Sequence, residues 1–187
     1  LSSDLFEWGD TTPIDGMSLT QSTLQFGGES FAGISEGERF RIGSLDYYNG
    51  TIRGGSGADS VDLTVGLDLN INGSSFNPYF DFTFDLINTQ NLGDSDNPWP
   101  DADFVKVKDA RADTTLVIGN FEYELRIDFG ETTVNGFSLF DEFHVLEEST
   151  ASVNTYGCFR INCGRLNGGI LSPSKFFQHP DISQTDG

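Results

Sequence analysis

The chain has 187 residues and a mass of 20.5 kDa, with 10 Lys and Arg against 29 Asp and Glu, a net charge of −19. That length suits one domain, or one domain with a tail, and can bury a real core. Such acidity without any run of Lys or Arg argues against tracking nucleic acid or an anionic membrane surface and favours divalent cations as partners. The 17 Phe exclude a disordered acidic chain, and no stretch approaches the roughly 18 apolar residues of a membrane span.

Taken in order, the elements are strands. Short candidates cover residues 22–26 and 39–48. The longest alternation runs through Val61, Leu63, Val65, Leu67, Leu69 and Ile71, with Asp62, Thr64, Gly66, Asp68 and Asn70 opposite. It predicts one long half-buried strand. Phe80, Phe82, Phe84 and Leu86 line another, followed by 104–107 and 114–118. Phe121, Tyr123, Leu125, Ile127 and Phe129 line a third long strand, and 137–146 a last one. Asn49-Gly50, Gly54-Gly55, Asn72-Gly73, Gly119-Asn120 and Asn135-Gly136 supply hairpin-type turns. No helical periodicity persists beyond about two turns. The expectation is an all-β fold, an antiparallel β-sandwich or jelly roll of about 8–10 strands. The sandwich is expected over residues 1–152, with an irregular C-terminal tail over 153–187.

The loop from Asp94 to Asp103 is the sharpest local feature. Asp94, Asp96, Asp101 and Asp103 place four carboxylates near Asn97, and calcium takes roughly six to eight oxygens in flexible geometry. A solvated acidic loop with Asp as turn formers is the competing reading. Trp99, between Pro98 and Pro100, can present its indole for sugar stacking or tuck against a sheet edge. Cys158 and Cys163, bounded by Gly157 and Gly164, suit a small disulfide loop in a secreted chain, or two unrelated thiols. Adjacent Phe176 and Phe177 stand in a polar tail and suit a contact with their own domain or a neighbouring subunit. Asn49 and Asn72 fit the N-glycosylation pattern. No nucleophile elbow is present, His144 alternates with Phe143 and Val145 on a strand, and no catalytic residue is assigned.

Several segments in order carry a family resemblance: Phe6-Glu7-Trp8-Gly9, Ser22-Thr23-Leu24-Gln25-Phe26, Leu45-Asp46-Tyr47-Tyr48-Asn49-Gly50-Thr51-Ile52, Gly57-Ala58-Asp59-Ser60-Val61, Phe82-Thr83-Phe84 leading into Asn88-Thr89, and Phe121-Glu122-Tyr123-Glu124-Leu125. This order resembles the bacterial choice-of-anchor K domain family over roughly residues 5–152. The resemblance implies a secreted β-sandwich and no catalytic residue. The start at Leu1 reads as a mature secreted chain.

The functional expectation is a non-enzymatic extracellular structural or adhesive protein. It would be a self-assembling surface-layer or filament subunit, completed by strand or tail exchange between subunits. The alternative is a calcium-dependent carbohydrate-binding module that uses Trp99 and binds extracellular polysaccharide. Expected partners are therefore copies of the same chain or a polysaccharide, with calcium as a possible cofactor.

Overall fold

The computed structural model describes residues 5–89 and 99–161. The strands are β1 (Leu5–Trp8), β2 (Ser22–Gly28), β3 (Arg39–Asn49), β4 (Ser60–Gly66), β5 (Leu69–Ile71), β6 (Ser74–Phe76) and β7 (Tyr79–Ile87). After a 3-10 turn at Trp99–Asp101 come β8 (Asp103–Val107), β9 (Arg111–Ile118), β10 (Phe121–Thr132), β11 (Gly136–Ser138), β12 (Glu142–Val145) and β13 (Ser149–Ile161). All pairings are antiparallel. One sheet runs β1-β2-β3-β13-β10-β9 and faces a second, β11-β12-β8-β7-β4, with β5-β6 as a small separate hairpin. The expected all-β sandwich is therefore the fold.

Period-two alternation explains the two layers. Inward residues of both sheets form one core, in which Leu45, Phe80, Phe84, Val105, Leu125 and Phe143 are almost wholly shielded. Two tight turns behave as their residues dictate. Asn72 and Gly73 take φ of 52° and 79°, the doubly left-handed pair of a type I′ hairpin joining β5 to β6. Gly119, at φ 61°, opens the two-residue connection between β9 and β10.

Three expectations change. The single strand expected through residues 61–71 is cut after Gly66. Beyond it, β5 swings away to pair with β6, and the base of that hairpin is fastened by the Asn77 amide donating to the Asp68 carboxylate. The strand expected over 137–146 is two, β11 and β12, which pair with one another around a turn at 139–141, where the Leu139 amide donates to Glu142 O at 2.8 Å. And β13 carries the sheet to Ile161, nine residues past Ser152. It is a central strand between β3 and β10. Its inward positions include Thr155 and Gly157, which break the apolar pattern. Gly157 has to be small, since a Cβ there would lie 2.9 Å from Ile42 and 3.0 Å from Phe40.

The segment Asn49-Gly50-Thr51 is a lock between the sheets. Asn49 is 0% exposed. Its Nδ2 donates to Val145 O across the core at 3.1 Å. The Ser22 hydroxyl accepts from Gly50 N at 3.1 Å and donates to Gly50 O at 3.3 Å. A Cβ on Gly50 would lie 2.4 Å from Thr20 O and 2.5 Å from Gln21 O. Burial leaves no room for a glycan on Asn49 in the folded chain.

Candidate functional site

An open feature of the sandwich lies along β4. Among the described residues it is the last strand of its sheet and pairs only with β7. The Leu86 amide donates to Asp59 O at 2.9 Å and the Leu67 amide to Pro78 O at 3.0 Å. With the register Val61↔Phe84, Leu63↔Phe82 and Val65↔Phe80, these bonds place the odd-numbered residues in the hydrogen-bonded pairs with β7. Antiparallel pairing then turns the N–H and C=O groups of Ser60, Asp62, Thr64 and Gly66 to the open edge.

A trough with apolar side chains on both walls and polar groups along its rim runs beside that edge, between the two sheets. Its first part, about 440 Å³, is lined by Phe6, Leu24 and Phe26 on one side and Val61, Leu63 and Phe84 on the other. A second part, about 260 Å³, continues past Phe31, Ile42, Val65 and Leu67, with Glu29 and Asp68 at its rim. The two parts share Phe26 and Thr64. The β4 side chains alternate accordingly: Val61 and Leu63 face the trough half-buried, while Ser60, Asp62 and Thr64 are exposed. Asp62 accepts from the Thr83 hydroxyl at 2.8 Å, and the Thr64 hydroxyl donates to Asp81 at 2.6 Å.

A second feature sits on the outer face of the five-stranded sheet. Phe137, His144 and Phe104 occupy one cross-strand row of β11, β12 and β8. The His144 ring stacks on Phe137 at 4.3 Å and on Phe104 at 4.3 Å. Trp99 meets Phe137 edge-on at 4.9 Å and is 37% exposed. Sheet-edge packing and a partly open indole thus coexist, because β11 is itself an edge strand. His144 Nε2 lies 3.1 Å from Glu142 Oε2, and Glu142 accepts from Lys106 Nζ at 2.7 Å.

Of the four carboxylates expected to hold calcium, Asp94 and Asp96 lie outside the described residues. Asp101 ends the 3-10 turn, and its backbone carbonyl accepts from the Thr89 hydroxyl at 2.8 Å. Asp103 points inward. Its Oδ1 accepts from Thr89 N at 2.7 Å and from the Thr89 hydroxyl at 3.1 Å, fastening the strand before the loop to the strand after it. Burial raises its carboxyl to about 6, against the pull of the two Thr89 bonds and with a smaller push from Glu147. The neighbouring Tyr47 hydroxyl is also pushed up, first by burial and then by Asp103 and Glu147. Among the described residues no three His, Cys, Asp or Glu side chains converge on a metal position.

The expected disulfide is corrected. Cys158 is a buried free thiol. The sequence reading placed a loop between Gly157 and Gly164. Instead β13 stays extended through Ile161, which carries the chain about 10 Å away from Cys158. Cys163 itself lies outside the described residues, as do Phe176 and Phe177.

The open β4 edge and its trough were not identified from sequence. The exposed pair Asp62 and Thr64 on a strand otherwise rich in Val and Leu was the available signal, since polar residues on a short strand suit an edge. In comparisons with known proteins, the chain matches no protein-family model and no curated protein.

Proposed function

We propose that this chain is a non-enzymatic, extracellular structural or adhesive subunit that assembles with copies of itself by strand addition. The observation that carries the reading is the seven-residue edge of β4, with outward-facing backbone groups beside a trough walled by apolar side chains. An exposed edge is a template for another strand, and a flanking groove supplies pockets for its alternate side chains. The resemblance of the segment order to choice-of-anchor K domains is the ground for reading an extracellular setting. The acidic surface, at −19 overall, keeps unassembled chains apart except where a specific contact overrides repulsion. The test is negative-stain microscopy and light scattering of the purified full chain, with and without a calcium chelator. Filaments or sheets are expected; uniform monomers at all concentrations overturn the reading.

A second reading, calcium-dependent carbohydrate binding, is favoured by Trp99 alone, with its half-open indole braced by Phe137. A glycan array is expected to show binding that Trp99→Ala and chelator each abolish. Binding indifferent to both changes removes this reading.

A further inference from the structure

We propose that the trough beside β4 is the seat of the chain's own C-terminal segment, residues 166–177, lying antiparallel to β4. The inference rests on the assembly reading only for which copy supplies the segment; the seat and its direction follow from the geometry below.

The exit of the chain comes first. Phe159, near the end of β13, stacks with Phe40 at 5.7 Å, and Phe40 meets Phe31 at 4.5 Å. Phe31 lines the part of the trough nearest Gly66 and Leu67. Phe159 also meets Phe80, the register partner of Val65, at 5.8 Å. The described chain therefore leaves the fold beside the Gly66 end of the trough. Residues 162–165 can span up to about 14 Å, enough to step around that corner. A strand entering there runs from Gly66 toward Ser60, antiparallel to β4.

Charge comes second. Residues 162–180 hold Arg165, Lys175 and His179 and no Asp or Glu, in a chain of net charge −19. The trough they would enter is rimmed by Glu29, Asp62 and Asp68. The longest stretch without a carboxylate, residues 149–180, thus begins with β13 and carries Arg165 and Lys175 beyond that strand, a match in sign for the acidic rim of the trough.

The apolar content comes third. Leu166, Ile170, Leu171, Phe176 and Phe177 supply side chains for a trough lined by Phe26, Val61 and Leu63. Burying them takes apolar surface out of water, which favours the seat. The outward N–H and C=O groups of Asp62 and Thr64 supply the ladder.

The experiment uses the full chain with Leu63→p-benzoylphenylalanine in the trough, and Val117→p-benzoylphenylalanine on exposed β9 as control. Irradiation of an equal mixture of isotope-labelled and unlabelled protein is followed by mass spectrometry. Cross-links from position 63 are expected in peptides within 166–177 and not from position 117. Thr64→Pro removes one outward N–H from an edge where proline is tolerated; it is expected to cut that cross-link at least tenfold while the far-ultraviolet spectrum is unchanged. Phe176→Ser with Phe177→Ser is expected to do the same. Cross-links joining different copies support both the seat and the assembly reading. Cross-links confined to one copy support the seat and overturn inter-subunit assembly. Filaments that form with no cross-link to 166–177 overturn the seat and leave assembly standing.

Discussion

The two flanks of the sandwich are finished differently. On one, β9 reaches from the six-stranded sheet to β7 of the other. The Thr114 hydroxyl donates to Tyr79 O at 2.6 Å across the gap, and Ala112 and Leu116 are buried beneath. On the other, β4 faces β1 and β2 across the trough, and Val61 and Leu63 remain half-buried. Both flanks are built from alternating strands of similar apolar content. What separates them is whether an edge strand finds a neighbour. Completeness of a sandwich core is set at its edges, and among the described residues the β4 edge stays available for a strand from elsewhere.

The contrast can be broken most forcefully from the core between the flanks. Phe80, fully buried against Phe159, is expected to lose about 3 to 5 kcal/mol of stability on Phe80→Ala, measured by urea denaturation. A loss under about 1 kcal/mol would mean the core is no better packed than the open edge.

Asp103 probes the dryness of the interior away from both flanks. Its folded value is about 6 against an ordinary 3.8. Between those values the folded chain keeps a proton that the unfolded chain releases, so this group's contribution to stability falls as pH rises through that window. Asp103→Asn keeps an acceptor for Thr89 and removes the charge. It is expected to gain on the order of 2 kcal/mol over the parent at pH 7.5, with the gain gone near pH 4. Thermal melts at both pH values check this; an equal offset at the two would contradict it.

On the open flank, Leu63→Ala is expected to cost only about 1 kcal/mol in dilute, unassembled protein, because the side chain is half-buried already. The same substitution is expected to weaken assembly more than it weakens folding, read as a rise in the concentration at which scattering begins. Last, Thr114→Val removes the hydroxyl tie to Tyr79 O on the closed flank. About 0.5 kcal/mol is expected in denaturant titrations; a larger loss would make that tie, not the apolar packing beneath it, what closes the flank.

The layered fold was legible because alternation is written residue by residue: Phe80, Phe82 and Phe84 turn inward as their spacing demands. The hairpin turn at Asn72-Gly73 was legible for the same local reason. The break after Gly66 was not, since it depends on β5 preferring β6 to a continued β7 pairing. The reach of β13 to Ile161 was hidden by Thr155, a polar residue at an inward position, and by Gly157, kept small by the crowding of Ile42, Phe40 and Leu125. Asp103 read as a loop ligand because sequence does not reveal that it heads a strand with its side chain turned inward. For the trough, Asp62 and Thr64 hinted at an edge strand. Which strands lie opposite that edge is decided by chain topology, which local alternation does not carry.

The central place of β13 has a mechanical consequence. It is laddered to β3 on one side and β10 on the other along most of its length. Tension applied to the chain beyond Ile161 would pull β13 along its own axis and load both ladders in shear, many bonds at a time. An edge strand such as β4 has one ladder to resist with. A chain anchored through β13 can therefore bear a lengthwise load at its most resistant strand while its open edge remains free to engage.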